Sequence, residues 1–108
     1  MDLINIIRNM ATQLTNEVVS IRRHIHQNPE LSFEEFKTSD YVASVLDKYK
    51  ITYQKGFVKT GIVAIIEGKN PSKKTTLLRA DLDALPIDEK NDIPYKSVNT
   101  GIMHACGH

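Results

Sequence analysis

The stretch ITYQKGFVKTGIVAIIE, residues 51–67, marks the point at which the spacing of apolar residues in this chain changes. Residues 51–58 alternate loosely between apolar and polar, which is typical of a half-buried strand. Thr60-Gly61 is a turn signal, and the apolar run IVAIIE behind it fits a buried strand. After the loop GKNPSKK, residues 75–80 (TTLLRA) are a third strand candidate. The sequence therefore predicts three consecutive strands that pair as neighbours.

Two amphipathic helices are predicted before this stretch. In the first, apolar residues recur every three or four positions: Ile4, Ile7, Ala11, Leu14, Val18, Ile21 and Ile25. Asp2 is expected to cap this helix, and Asn28-Pro29 to end it near Gln27. Residues 32–35 (SFEE) have the spacing of a capping box for a second helix. Its predicted buried residues are Phe36, Tyr41, Val42, Val45, Leu46 and Tyr49.

The predicted fold class is α/β, with two helices that bury their apolar faces against one face of the three-stranded sheet. Residues 81–95 (DLDALPIDEKNDIPY) are rich in Pro and Asp and should form a loop. This loop reaches the terminal motif without a further strand, so the architecture is expected to be incomplete on its C-terminal side.

Composition excludes several functional classes. A chain of 108 residues with 41% hydrophobic and 25% charged residues is expected to form at most one small globular domain. A formal net charge of +1 gives no electrostatic reason to expect nucleic-acid binding. The longest apolar run, residues 62–66, is far shorter than the roughly 20 residues that span a membrane. No signal peptide is recognisable, and a single cysteine favours a reducing cytoplasm.

The last nine residues, TGIMHACGH, contain the only cysteine. A thiolate and a neutral imidazole are good ligands for zinc and similar cations. Cys106 and His108 can face the same side only if the backbone is extended or looped, which Gly107 permits. His104 would lie on that side as well in a regular run. The alternative is a buried cysteine beside two surface histidines, and spacing alone does not exclude it.

Other polar residues offer further candidates. Asp81 and Asp83 follow the third predicted strand directly, where α/β enzymes often place catalytic groups, although without further context the residues favour solvated loop acids. His24 and His26, with Arg22 and Arg23, are interpreted mainly as a solvated helix end, and a second interpretation lets one of them line a substrate cleft. Glu34 and Glu35 look like paired carboxylates, but capping accounts for Glu35 more simply.

Three stretches in one order carry a resemblance: RRHIHQNPELSFEE (22–35), LLRADLDALPIDE (77–89) and GIMHACGH (101–108). The chain resembles the N-terminal part of the metal-dependent amidohydrolases related to aminoacylases and metallocarboxypeptidases. The most similar branch includes hippurate hydrolases, N-acyl-L-amino-acid amidohydrolases, indole-acetyl-amino-acid hydrolases and N-acetyldiaminopimelate deacetylases. The resemblance covers nearly the whole chain, and the ordered trio of motifs is highly specific.

The resemblance implies a catalytic α/β domain that holds two divalent cations and is interrupted by a lid or dimerisation domain. It implies that Cys106 and His108 are metal ligands, whereas His104 is not carried over as one. Asp81 matches a catalytic aspartate that supports the metal centre without binding the ion directly. Arg79 stands where the wider family has a metal-binding histidine. The implied reaction is hydrolysis of N-acyl amino acids by metal-activated water, with a glutamate as general base.

The resemblance also implies that much of the enzyme lies beyond this chain. Family motifs continue with Asp-Gly-His and a later Glu-Glu pair, which supply the base and further ligands. Residues 1–108 are therefore expected to be the N-terminal part of the catalytic domain, inactive by itself. The metal could be zinc, manganese, cobalt or nickel. Because the family's dimer contact belongs to the lid domain, a homodimer or higher oligomer stays open for the full-length protein.

Two other hypotheses remain open from the sequence. The chain could be a non-enzymatic binding module whose apolar faces meet a partner. It could also be a thiol hydrolase, with Cys106 as nucleophile and His104 or His108 as base. Excess chelator would distinguish the thiol hydrolase from the metal-dependent enzyme, because only the thiol hydrolase would keep its activity.

Overall fold

The computed structural model describes residues 2–107 of the chain. Two helices, α1 (Leu3–Gln27) and α2 (Phe36–Lys48), precede two strands, β1 (Thr52–Phe57) and β2 (Gly61–Ile65). The α/β class and the order of helices before strands are confirmed. Neither helix in the described range is both long and apolar enough to cross a membrane.

The ends of α1 lie where the sequence predicts them. The Asp2 carboxylate accepts a hydrogen bond from the Ile4 amide at 3.0 Å, which satisfies one of the unpaired N–H groups of the first turn. At the other end, the Asn28 amide donates to the His24 and Ile25 carbonyls. Pro29 follows and is fully buried. Asn28-Pro29 therefore ends the helix, because proline cannot continue the helical hydrogen bonding.

The prediction that both helices bury their apolar faces on the sheet is wrong for α1. Ile4, Ile7, Leu14 and Val18 are exposed, and Ile21 and Ile25 are only half-buried. Helix α2 is the one that packs on the β1–β2 hairpin. The spacing of apolar residues defines the face of a helix that favours burial, but it does not supply the surface that covers that face.

The N-terminus of α2 is capped by a residue that the sequence analysis did not single out. The Glu30 carboxylate accepts hydrogen bonds from the amides of Lys37 (3.2 Å) and Thr38 (2.6 Å) in the first turn. The capping-box prediction is wrong, since Glu35 precedes the helix and makes no side-chain cap. Instead, the buried Glu35 carboxylate accepts a 2.6 Å hydrogen bond from the Thr60 hydroxyl, which ties α2 to the hairpin turn.

The buried face of α2 also differs from the prediction. Its buried residues are small, namely Thr38, Ser39 and Ala43. Of the predicted set, Phe36 and Tyr49 are exposed, and the other four are half-buried: Tyr41, Val42, Val45 and Leu46. Ser39 and Ala43 lie one turn apart on the same face, and their small side chains allow the backbone of α2 to approach its neighbours closely.

The hairpin forms near the predicted position. Strands β1 and β2 pair antiparallel, with Thr52 opposite Ile65 and Phe57 opposite Gly61. The register shifts between Lys55 and Phe57, at Gly56, whose φ of +94° places it in a region that glycine adopts easily. Because Phe57 pairs with Gly61, the chain reverses between these two residues, where the Thr60-Gly61 signal predicts a turn.

The third predicted strand, residues 75–80, does not form in the described structure. These residues have no regular secondary structure, and the side chains of Leu77 and Leu78 are 84% and 92% exposed. A strand gains stability only when its backbone groups pair with a neighbour and its side chains pack. The described sheet consists of β1 and β2 only. Residues 75–80 therefore have neither a neighbouring strand to pair with nor a surface on which their apolar side chains pack.

Candidate functional site

The C-terminal end of α1 holds the second motif stretch and the residues that lead into the third. The Ala84 amide donates to the Glu30 carbonyl at 2.8 Å, and the Val98 amide donates to the Gln27 carbonyl at 2.9 Å. The Asn99 side-chain amide donates to the Pro29 carbonyl at 2.8 Å. These bonds bring both ends of the loop that follows residue 83 to the same short segment, which ends the first helix.

The terminal motif is held against the second stretch by a pair of reciprocal backbone hydrogen bonds. The Leu85 amide donates to the Met103 carbonyl at 2.9 Å, and the Met103 amide donates to the Leu85 carbonyl at 3.0 Å. Because this bridge is antiparallel, the chain that leaves Met103 runs back along the residues that precede Leu85. The HACG residues are thereby directed toward Asp81 and Asp83, which precede Leu85 in the chain.

Both candidate aspartates are held in place by polar partners. Asp81 forms an ion pair with Arg79, with 2.8 Å between Nη2 and Oδ1. Asp83 accepts a 2.5 Å hydrogen bond from the Ser32 hydroxyl and is half-buried. The alternative of loosely solvated loop acids therefore does not describe Asp83. The supporting role of Asp81 at a metal centre stays a prediction.

The burial of Cys106 and His104 is the reverse of what the alternative of a buried cysteine beside surface histidines predicts. Cys106 is a free, exposed thiol, so the alternative of a buried structural cysteine is wrong. His104 is half-buried, and its Nε2 is buried without a hydrogen-bond partner among the described residues. Burial lowers the pKa of His104, the charge of His26 acts in the same direction, and the charge of Asp83 opposes both. His104 is therefore close enough to His26 and to Asp83 for both charges to act on its ring.

His108, the second predicted ligand, lies outside the described residues. Within residues 2–107, no group of three or more His, Cys, Asp and Glu side chains is arranged to hold a metal ion. The ligand roles of Cys106 and His108 are therefore untested and stay predictions.

The sequence analysis missed a buried hydrogen-bonded contact between His26 and Glu89. His26 Nε2 lies 3.0 Å from both carboxylate oxygens of Glu89, whose side chain is 1% exposed. The interpretation of His26 as part of a solvated helix end is wrong, because it is buried. The partners lie 63 residues apart, and such a pair leaves no periodic signal in a sequence.

The Glu89 carboxylate is saturated with hydrogen bonds. Besides His26, it accepts from the Ser97 amide at 2.8 Å and from the Asn91 side chain at 3.1 Å. The Ser97 hydrogen bond is the main cause that lowers the pKa of Glu89 to about 2, and the bonds from His26 and Asn91 add to it against the effect of burial. Glu89 is therefore ionised at neutral pH and can only accept, which requires the proton to reside on Nε2 of His26.

The rest of the helix end carries aromatic contacts and a shallow cleft. His24 stacks on Tyr41 with 4.0 Å between ring centroids, and the Arg23 guanidinium lies 4.6 Å from the centroid of Tyr95. A cleft of about 240 Å³ lies beside His24. It is lined by His24, Ile25, Asn28, Lys37, Thr38 and Tyr41. A histidine therefore does line a cleft, although no structural feature assigns a substrate to it.

The chain is similar to known hydrolases over its whole length. The family model of peptidase family M20/M25/M40 matches residues 77–108. Thermostable carboxypeptidase 2 of Saccharolobus solfataricus is 45% identical over 100% of this chain and 28% of its own length. N-acetyl-L-cysteine deacetylase of Bacillus subtilis is 47% identical over 93% of this chain and 24% of its own length. Residues 77–108 are therefore similar to the M20 peptidase family, and the whole chain is similar to part of these hydrolases. It spans about a quarter of the length of these curated relatives.

A solved structure shows the same similarity to M20 peptidases. The crystal structure of the Bacillus subtilis YXEP protein, described as a dinuclear metal binding peptidase of the M20 family, superposes with a TM-score of 0.77. The two chains are 35% identical over 88% of this chain and 27% of that protein. The two helices and the hairpin therefore have the same fold as part of that M20 peptidase, as the resemblance predicts.

Proposed function

We propose that the protein to which this chain belongs is a metal-dependent amidohydrolase that cleaves the amide bond of N-acyl amino acids. The observation that carries the proposal is the arrangement of the three motif stretches: the second is bonded to the end of α1 and the third is bonded to the second, in a chain similar to M20 peptidases. One relative is named a deacetylase of N-acetyl-L-cysteine and another a carboxypeptidase. Both names describe cleavage of an amide beside an amino acid, which supports this substrate class.

The donor set on this chain suits a divalent transition metal. The thiol of Cys106 is exposed and therefore accessible to an ion, and a thiolate with imidazole and carboxylate neighbours fits zinc, cobalt, nickel or manganese. Cys106 and His108 would be ligands, and Asp81 would support the centre. When bound, two such cations would polarise the acyl carbonyl and activate water. The similar YXEP protein is described as binding two metals.

The chain's own residues contribute placement and charge. Arg79 pairs with Asp81 and limits its freedom, and the Ser32 hydroxyl does the same for Asp83. The Leu85–Met103 bridge brings the terminal motif toward these carboxylates. The proposal assigns the general base and the remaining ligands to the part of the protein beyond residue 108. It follows that residues 1–108 alone should not turn over substrate.

The test is a hydrolysis assay on the whole protein. A panel of N-acyl amino acids, with dipeptides for comparison, is assayed after chelation and after re-addition of Zn²⁺, Mn²⁺, Co²⁺ or Ni²⁺. We expect turnover that requires a metal and that Cys106→Ala reduces strongly, whereas Ser44→Ala, an exposed substitution on α2, leaves it unchanged. Turnover that survives excess chelator but not thiol blocking would overturn the proposal in favour of a thiol hydrolase. No turnover with any metal would favour a non-enzymatic module.

A further inference from the structure

We infer that Glu89 and His26 are positioning residues that fix the path of residues 101–107 and thereby the place of Cys106. The inference rests on the proposed function only in treating Cys106 as a metal ligand. It begins with a buried charge that the proposed reaction does not use, since the Glu89 side chain is 1% exposed and every partner it has is structural.

The first step is the attachment of Glu89 to a helix. His26 lies in the last turn of α1, and its Nε2 donates to both carboxylate oxygens at 3.0 Å. The His26 ring is in turn packed edge-on against Tyr95, with 5.8 Å between centroids. A buried carboxylate that has lost its hydration must keep all its donors, so its position is tied to that of the helix end.

The second step is the contact of Glu89 with Ser97. The Ser97 amide donates to Glu89 Oε1 at 2.8 Å. The Ser97 hydroxyl donates to the Ile102 carbonyl at 2.7 Å. A single residue therefore joins the buried carboxylate to the segment that enters the terminal motif.

The third step is the entry of that segment into the site. Met103 follows Ile102 and exchanges two backbone hydrogen bonds with Leu85, 2.9 and 3.0 Å long. Cys106 lies three residues further along the chain. Outer groups that orient metal ligands typically change metal affinity about 10–100-fold when they are removed, although they never touch the ion.

Two measurements on the 108-residue chain test the inference. Amide hydrogen exchange at Leu85 and Met103 reports the path of the segment. Titration with Co²⁺ alone, monitored by the thiolate-to-cobalt charge-transfer absorption, reports metal binding at Cys106, the only cysteine of the sequence. For Glu89→Gln we expect exchange at both amides about tenfold faster or more, because local opening becomes easier, while the β1–β2 amides keep their rates. We expect Co²⁺ affinity to fall about tenfold or more.

Matched variants separate positioning from general stability. Glu35→Gln alters another buried carboxylate, which bonds Thr60 in the hairpin turn and forms no hydrogen bond with Glu89 or Ser97. It should leave both readouts unchanged. Ser97→Ala keeps the amide bond to Glu89 but removes the hydroxyl bonds to Ile102 and Asn99, so it should reproduce the effect in a chain that stays folded. His26→Gln retains an N–H donor and should be milder than His26→Leu.

The outcomes are distinct. Unchanged exchange at Leu85 and Met103 in Glu89→Gln and Ser97→Ala would overturn the positioning role. Equal loss in Glu35→Gln would overturn it too, because the effect would then be one of global stability. If exchange changes as expected but the parent chain shows no cobalt–thiolate absorption, the ligand role of Cys106 fails, and the inference fails through that premise.

Discussion

The two halves of this chain are ordered in different ways. Around the end of α1, residues from three distant stretches are joined by buried polar contacts, with Glu89 at the centre. The hairpin and the residues that follow it are apolar, but many of their side chains face solvent, with Ile66 and Leu78 78% and 92% exposed. Saturated polar contacts need few partners to fix a geometry, whereas apolar residues contribute only when a second surface covers them.

Acidification should break the polar half first. Glu89 has a pKa lowered from 4.5 to about 2, so the stability it contributes is fully present above pH 4.5 and is lost as the pH falls toward 2. His26 is the titratable side chain that faces it. Hydrogen exchange at Leu85 and Met103 should accelerate below pH 4.5 relative to the intrinsic rates. Glu89→Gln should remove this acid dependence, and an equally steep dependence in that variant would contradict the assignment.

Removal of the hydroxyl that joins α2 to the hairpin turn should have the next largest effect. Thr60→Val keeps the shape of the side chain but leaves the buried Glu35 carboxylate without its donor. The expected loss is about 1–3 kcal/mol of unfolding free energy, measured by urea denaturation. Thr75→Val, at an exposed position, is the matched control and should change stability by less than about 0.5 kcal/mol.

Loss of the α1 cap should cost less. Asp2→Ala removes the carboxylate that accepts from the Ile4 amide, with an expected loss of about 1 kcal/mol. Circular dichroism during thermal unfolding measures the effect. Asp2→Asn retains a capping oxygen and should stay close to the parent chain; equal destabilisation by both substitutions would show that charge, rather than the hydrogen bond, stabilises this helix end.

The smallest effect is expected in the apolar half. Leu77→Lys and Leu78→Lys replace side chains that are almost fully exposed, so each should change the unfolding free energy by less than about 0.5 kcal/mol. A loss of 2 kcal/mol or more, as expected for a core leucine, would show that these residues are buried in solution. Urea denaturation at two protein concentrations distinguishes burial within one chain from burial between chains.

Local signals predicted the elements whose causes are local. Asp2 and Asn28-Pro29 bound α1 because capping and proline act over a few residues, and the Thr60-Gly61 signal marks the hairpin turn for the same reason. The capping box failed at Glu35 because two acceptors compete for the α2 terminus, and Glu30 reaches the first-turn amides while Glu35 bonds Thr60. That choice depends on the position of the hairpin, which a four-residue motif does not contain.

The candidate site divides in the same way. The order and spacing of the three motif stretches carried the resemblance to the metal-dependent amidohydrolases and indicated the residues to consider, Asp81, Cys106 and His108. Residue types and spacings are properties of the chain itself. Only the tertiary structure decided that His26 is buried against Glu89, that Cys106 is exposed, and that residues 75–80 form no strand. Burial and pairing depend on distant partners, 63 residues apart for His26 and Glu89 and 70 for Pro29 and Asn99. Sequence spacing holds no record of which distant groups meet.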